Sequence, residues 1–385
     1  MSDQFLMKDG LGETAVLRIA SGMQAAWPAF DVKGFEQTAL RGIRDLGLKQ
    51  RVNHLVSALN QHLPDDFVKT ADILRRAPNN WDFGDPTDPI RSFASWPVID
   101  YAATYGLEHP EVSLDLLKHL THMFSAEFAI RPFILRYPEL CLAAFETWVD
   151  DSNHQVRRLV SEGSRPRLPW GMRLPPYCDD PTPLIPLLTR LNNDPSDYVR
   201  RSVANSLNDI SKDNPDIAVE VCQYWLRGTQ ATNEVSADTK WIVRHAMRSL
   251  IKSGRADVFP LLGFTANPKL ELGDVKLSSS KIKLGEALAF ETQIHSKSKS
   301  TQHLAIDFVI HHRKANGSLS PKVFKWKEMD LKPGQSLAIS KKHAIRKINT
   351  RAYYSGQHQL DIVINGKTYR NIAFDLNCEL PPDTR

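Results

Sequence analysis

YVRRSVANSLNDI, residues 198–210, opens a helix directly after an acidic turn, and the chain repeats the device. QVRRLVSEG stands at 155–163 and IVRHAMRSLIKSG at 242–254, so Val156, Val199 and Val243 are 43 and 44 residues apart. SAEFAIRPFI (125–134) is a shorter, earlier version with Arg131 in the basic slot. The first helices before two of these segments, PELCLAAFETWVDD (138–151) and PTPLIPLLTRLNNDP (181–195), end in Asp/Asn clusters. Clusters of those residues are the chemistry of a turn.

A helical pair recurring at about 40–47 residues has the period of HEAT-like repeats. Such units stack in one dimension and leave a continuous concave face. Upstream, GLKQRVNHLVSALNQHL (47–63) sets Val52, Leu55, Val56, Leu59 and Leu63 three and four apart, again a helical stripe. From about residue 269 the period becomes two. Leu288, Phe290, Thr292 and Ile294 alternate with polar positions, and so do Leu304, Ile306, Phe308 and Ile310. QLDIVI (359–364) runs through Asn365-Gly366 into KTYRNIAFDL (367–376), a strong hairpin signal. The expected fold is therefore mainly α: a HEAT-like helical-repeat solenoid over 1–268, then an Ig-like β-sandwich over 269–385. The join falls near GFTANPKLELGD (263–274).

Composition narrows the function. With 42% hydrophobic and 24% charged residues, the chain is ordinary for a folded soluble protein. No apolar run reaches the roughly 18 residues of a membrane span, and the N-terminus does not read as a secretory signal. Cys141, Cys178, Cys222 and Cys378 are scattered without a C-x-x-C, so a cytoplasmic setting is expected and a disulfide framework is not. His119 and His122 could meet on one helical face, but no third ligand is marked nearby, and neither metal nor cofactor is expected. Residues 269–385 hold 20 Lys+Arg against 11 Asp+Glu, whereas residues 1–268 hold 29 against 33. A basic last third suits an acidic partner such as a phosphate backbone, or a solubility surface.

The chemistry gathers in the repeats. Arg157, Arg158, Arg200, Arg201 and Arg244 begin successive second helices, whose N-termini favour phosphate. The competing reading pairs each arginine with an Asp of the neighbouring turn. GSRPRLPWG (163–171) sets Arg165 and Arg167 between prolines that stiffen the loop. Trp170 sits between Pro and Gly, off any helical stripe, either as a lid over the core or as an aromatic face for a cation or sugar. Lys240, Arg244 and Arg248 fall at i, i+4 and i+8, one face of a single helix. Three carboxylates, Glu127, Glu162 and Asp209, come from comparable places in successive units. A groove basic at its rim and acidic at its floor suits an anionic polymer that carries a local cation. Acids turned away from a common trough, or each locked to an internal arginine, would undercut that reading.

SAEFAIRPFI, VRRLVSEGSRPRLPWG and VRRSVANSLNDISKDNP together resemble the motifs of the HEAT-like-repeat DNA alkylation-repair glycosylases of the AlkC/AlkD superfamily. The Ig-like extension resembles the AlkC branch in particular. The resemblance implies a bacterial, cytoplasmic base-excision enzyme, associated with the nucleoid when acting. It would act as a monomer, with no obligate protein partner, on double-stranded DNA containing alkylated bases. It would hydrolyse the N-glycosidic bond of cationic N3-alkylated bases such as 3-methyladenine and 3-methylcytosine without drawing the base into a pocket. Carried over motif by motif, the catalytic residues would be Glu162, Asp209, Trp170 and Glu127. DNA would be held by Arg157, Arg165, Arg167, Arg200, Arg201, Lys240, Arg244 and Arg248. Three alternatives stand beside this one: a non-catalytic scaffold binding protein, a DNA-binding protein without catalysis, and a hydrolase of free glycosides.

Overall fold

The computed structural model describes residues 6–228 and 235–378. It contains two compact units, Met1–Ala246 and Met247–Arg385, each with its own core.

The first unit is helical. Its repeats pair Pro138–Trp148 with His154–Gly163, Ile185–Leu191 with Asp197–Asp213, and Pro215–Trp225 with Ala237–Ala246. Val156, Val199 and Val243 are all buried, so the valine that opens each second helix faces the core between helices. Asn153 caps its helix by accepting a bond from the Gln155 amide at 2.9 Å, which satisfies one of the donors a helix start leaves open.

The first arginine of each Val-Arg-Arg does a matching job. The Arg157 guanidinium donates to the carbonyls of Asp151 (2.8 Å) and Ser152 (3.0 Å) in the turn before its own helix. It also grips the buried carboxylate of Asp194 in the next unit with two bonds of 2.6 and 2.9 Å. Arg200 repeats the pattern, donating to the carbonyls of Asp194 and Pro195 at 2.8 and 3.0 Å and reaching Asp238 at 3.3 Å. Each first arginine thus ties its own turn to the next repeat.

The segment 237–252 is two helices, Ala237–Ala246 and Arg248–Lys252, parted at Met247. The expected single face through Lys240, Arg244 and Arg248 is interrupted there. Within the first unit, Asp100 on the helix Trp96–Tyr105 accepts from the Trp96 indole at 2.9 Å. Its Oδ1 is buried with no hydrogen-bond partner. Burial pushes that carboxyl up to about 7.

The second unit begins with two short helices, Arg248–Lys252 and Val258–Leu261. Among the described residues nine strands follow: β1 (Leu270–Leu272), β2 (Lys276–Leu277), β3 (Lys281–Lys283), β4 (Ala287–Ser296), β5 (Gln302–Arg313), β6 (Leu319–Leu331), β7 (Ser336–Ala344), β8 (Gly356–Ile364) and β9 (Lys367–Asn377). In one sheet β4 pairs with β1, β2 and β7; the other runs β3-β9-β8-β5-β6, with only β3–β9 parallel. Leu288, Phe290, Ile294, Leu304, Ile306, Phe308 and Ile310 are all buried in the shared core, as their alternation requires. Asn365 and Gly366 close the β8–β9 hairpin at φ of 46° and 80°, the left-handed pair that such a turn demands.

Candidate active site

The three carboxylates singled out in the sequence lie along one chain of alternating charge. Glu127 sits in the irregular segment after the helix Pro110–Leu120. Its Oε2 accepts from Arg158 at 2.7 Å and from the Ser125 hydroxyl at 2.7 Å. Arg158 and Glu162 are one turn apart on the helix His154–Gly163, with Arg158 Nη2 3.6 Å from Glu162 Oε1. Arg165 donates to that same oxygen at 2.7 Å and, through Nε, to Asp209 Oδ2 at 2.8 Å. Asp209, inside the helix Asp197–Asp213, takes a last bond of 2.8 Å from Lys212 on Oδ1.

The order is therefore Glu127, Arg158, Glu162, Arg165, Asp209, Lys212. Three helical units are stitched together by three acids and three bases.

Glu162 and Asp209 are each locked to the internal Arg165, the arrangement that undercuts the expected picture of bare acids beneath a basic rim. Arg165, expected on DNA phosphate, is buried between Glu162 and Asp209. The two acids do meet at one place, but they meet through a guanidinium. Burial opposes the charge on Arg165, yet Glu162 and Asp209 together raise its pKa above the ordinary value. Arg158 behaves alike between Glu127 and Glu162, with its guanidinium 4.2 Å from the centre of the Tyr198 ring. Neighbouring buried carboxylates repel strongly at low dielectric, and an interposed guanidinium offsets that repulsion. The occupancy of the two central acids differs. Both guanidinium contacts to Glu162 use Oε1, leaving Oε2 out of these bonds. Asp209 has both oxygens engaged.

The loop after Glu162 carries Trp170. Its side chain is 60% exposed, so it is no lid over the repeat core. Its φ is +64°, a left-handed conformation that a bulky residue adopts only under constraint, at a cost of about 1–3 kcal/mol. The constraint comes from below. Arg131, with no exposed surface, donates to the carbonyls of Met172 (2.6 Å), Gly163 (2.8 Å) and Arg165 (2.8 Å). Burial pushes its guanidinium down to about 10. Lys49 donates to the Trp170 carbonyl itself. The loop is thus pinned along its length by two cations, and the indole is held out into solvent.

The remaining arginines divide by place. Arg157 and Arg200 are the turn-to-repeat ties described above, so the competing reading of Val-Arg-Arg accounts for them. Arg167 is paired with Asp213. Arg201, two-thirds exposed, makes a 2.6 Å surface pair with Asp197, the kind worth little in water. Lys240 is exposed, and Arg244 and Arg248 are half-buried.

Three charged neighbours, Arg131, Lys212 and Lys49, lie outside the expected site residues, and Arg158, expected near phosphate, is instead tied to Glu127. The i, i+4 spacing of Arg158 and Glu162 announces the rung between those two. An arginine between Ile130 and Pro132-Phe133 announces a buried cation. Lys49, 121 residues from Trp170, leaves no local signal. Among the described residues no group of three or more His, Cys, Asp or Glu is disposed to hold a metal ion, and no helix is long and apolar enough to cross a membrane.

Residues 271–378 match the family model described as the C-terminal Ig-like domain of the uncharacterised protein YhaZ, and residues 184–213 match the HEAT repeat. The chain is 33% identical over 371 residues to the uncharacterized protein YhaZ of Bacillus subtilis (strain 168), covering 96% of this chain and 99% of that protein. Among solved structures it is similar to the Pseudomonas fluorescens alkylpurine DNA glycosylase AlkC, bound to DNA containing an abasic site analog. There the TM-score is 0.86 and the identity 34%, covering 97% of this chain and all of that one.

Proposed function

This chain belongs to the AlkC/YhaZ family of HEAT-repeat proteins with a C-terminal Ig-like domain, and from that premise we propose that it is a DNA glycosylase for alkylation damage. The observation that carries the reading is the run of three tethered carboxylates, with a constrained, exposed tryptophan in the loop that follows Glu162. A whole-chain likeness to an alkylpurine DNA glycosylase supports it.

The substrates are cationic N3-alkylated bases, 3-methyladenine and 3-methylcytosine, in duplex DNA. Such a base already carries positive charge. When the bond from C1′ to the base nitrogen breaks, the base takes the electron pair and leaves neutral, so no general acid is needed. Positive charge passes to the sugar, as in glycoside hydrolysis. Fixed carboxylates stabilise charge where it develops.

Glu162 is the acid that orients and deprotonates the water, because its Oε2 is outside the arginine contacts while Asp209 has both oxygens engaged. Water adds to C1′ and its proton passes to the carboxylate. Asp209 and Glu127 contribute field rather than proton transfer. Trp170 covers the cationic sugar with its ring face. The bond is cut by stabilising the sugar, without enclosing the base in a pocket, so selectivity follows the lability of the bond. Exposed Arg201 and Lys240, together with Arg244, Arg248 and the basic second unit, supply phosphate contacts.

The test is to incubate the protein with methylated duplex and identify the freed bases by mass spectrometry. Release of 3-methyladenine supports the proposal. Duplex binding with no base released returns the chain to a non-catalytic DNA-binding role, and association insensitive to salt returns it to a protein scaffold.

A further inference from the structure

A cavity of about 530 Å³ opens at the Glu127 end of the charge ladder. Its size is that of an ordinary small-molecule site. Glu127 and Arg158 form part of its wall, so it borders the proposed sugar site directly. None of the chemistry described above uses it.

The lining favours one class of occupant. Phe83, Phe124 and Tyr198 line it, Phe124 already stacked on Trp96 and Tyr198 already under Arg158, and Phe83 and Tyr198 stand 41% and 44% exposed. Gln155 also lines it, and its Oε1 is buried without a hydrogen-bond partner. A buried acceptor left empty is an exception that asks for a donor.

The formal charges cancel, Asp88 and Glu127 against Arg91 and Arg158. Arg158 is already tied to Glu127 and lies against the Tyr198 ring. His122, also in the wall, is held below its ordinary value by burial and so adds no cation near neutrality. A phosphate would meet two carboxylates there, with Arg158 committed to Glu127 and Arg91 reaching the Asp85 carbonyl at 3.5 Å. A neutral, flat, amine-bearing heterocycle would meet stacking faces and an acceptor.

We propose that this cavity binds the free alkylated nucleobase, the product of the reaction proposed above, on which the inference rests. While joined to the sugar, the base stays in the duplex. Once the bond is cut it is neutral and untethered. It can then stack among the aromatic rings while its exocyclic amine donates to Gln155 Oε1. The cavity would thus hold the base away from the sugar cation and prevent re-formation of the bond.

The probe is free 3-methyladenine added to the full chain without DNA, followed by saturation-transfer NMR. Saturable binding is expected, weakened about tenfold or more in Gln155→Leu and in Phe83→Ala as the amine partner or stacking face is lost. Neither residue is a member of the charge ladder, so single-turnover base release from methylated duplex should stay within about twofold of wild type. Absence of saturable binding, or undiminished binding in both variants, overturns the proposal. If the wild-type protein frees base from duplex yet does not bind free base, the cavity assignment alone fails. If it frees no base at all, the function on which the assignment rests fails.

Discussion

The Nε of Arg165 lies 2.8 Å from Oδ2 of Asp209, an ion pair almost wholly removed from solvent that joins two consecutive repeats. Through its other arm the same guanidinium holds Glu162 at 2.7 Å. One loop residue therefore sets the spacing of the two acids on which the proposed chemistry depends. Removing one partner of a buried pair leaves the other charge uncompensated. Arg165→Met is expected to lower stability by about 3–5 kcal/mol. Asp209→Asn, which keeps a hydrogen-bond acceptor, should cost less. Denaturant unfolding of both variants checks this, and a loss below about 1 kcal/mol in Arg165→Met would mean the pair is not formed in solution.

Trp170 separates function from stability. Its ring is exposed and its backbone is strained. Glycine tolerates a positive φ without penalty. Trp170→Gly should unfold at or slightly above the wild-type temperature while base release falls about a hundredfold. A marked fall in unfolding temperature would instead make the indole part of the packing.

Arg131 acts through the loop rather than on substrate. Lysine keeps the charge but cannot fork to three carbonyls. Arg131→Lys is expected to lower kcat more than about tenfold with little change in affinity for abasic duplex. The signal of Trp170, read as the fluorescence difference from Trp170→Phe, should shift with it. A loss confined to KM would argue for a direct contact with DNA.

Two arginines of the Val-Arg-Arg segments, the first of one and the second of the next, should behave oppositely. Arg157→Ala removes the tie to Asp194 and should destabilise the fold, leaving the salt dependence of DNA binding unchanged. Arg201→Ala should leave stability nearly unchanged and reduce the log–log salt slope by about 0.9, the value of one phosphate contact. Equal slopes in wild type and Arg201→Ala would remove Arg201 from the interface.

Asp100 makes stability depend on pH. Its folded pKa, about 7, lies above its unfolded value. The stability that goes with the protonated carboxyl is therefore full below about pH 4 and lost as pH rises through about 7. Asp100→Asn mimics the neutral form. It should raise the unfolding temperature relative to wild type at pH 8 and change it little at pH 4. An equal effect at both values would contradict the assignment.

Most of the fold was legible because it is written in local periodicity. Val156, Val199 and Val243 mark a core position once per repeat, and Asn365-Gly366 marks a hairpin, since both signals arise within a few residues of the structure they specify. The site was legible only in part. Glu127, Glu162 and Asp209 could be picked out as acids beside apolar stripes. Their cross-repeat partners could not, because Arg158 meets Glu127 and Arg165 meets Asp209 from 31 and 44 residues away. An arginine on the surface and one locked across repeats look identical in sequence, and only the fold shows which carboxylate it reaches. The break at Met247 was hidden for a similar reason, since both sides of it keep helical spacing.

The central claim is that Glu162 supplies the proton acceptor for hydrolysis at a site assembled by buried ion pairs. Single-turnover release of 3-methyladenine from methylated duplex by Glu162→Gln, measured beside its binding to abasic duplex, tests that claim most directly. The expected result is a rate reduced about 10²–10⁴-fold, the range of a lost general base, with binding within about twofold of wild type. Release at the wild-type rate, with binding intact, would contradict it.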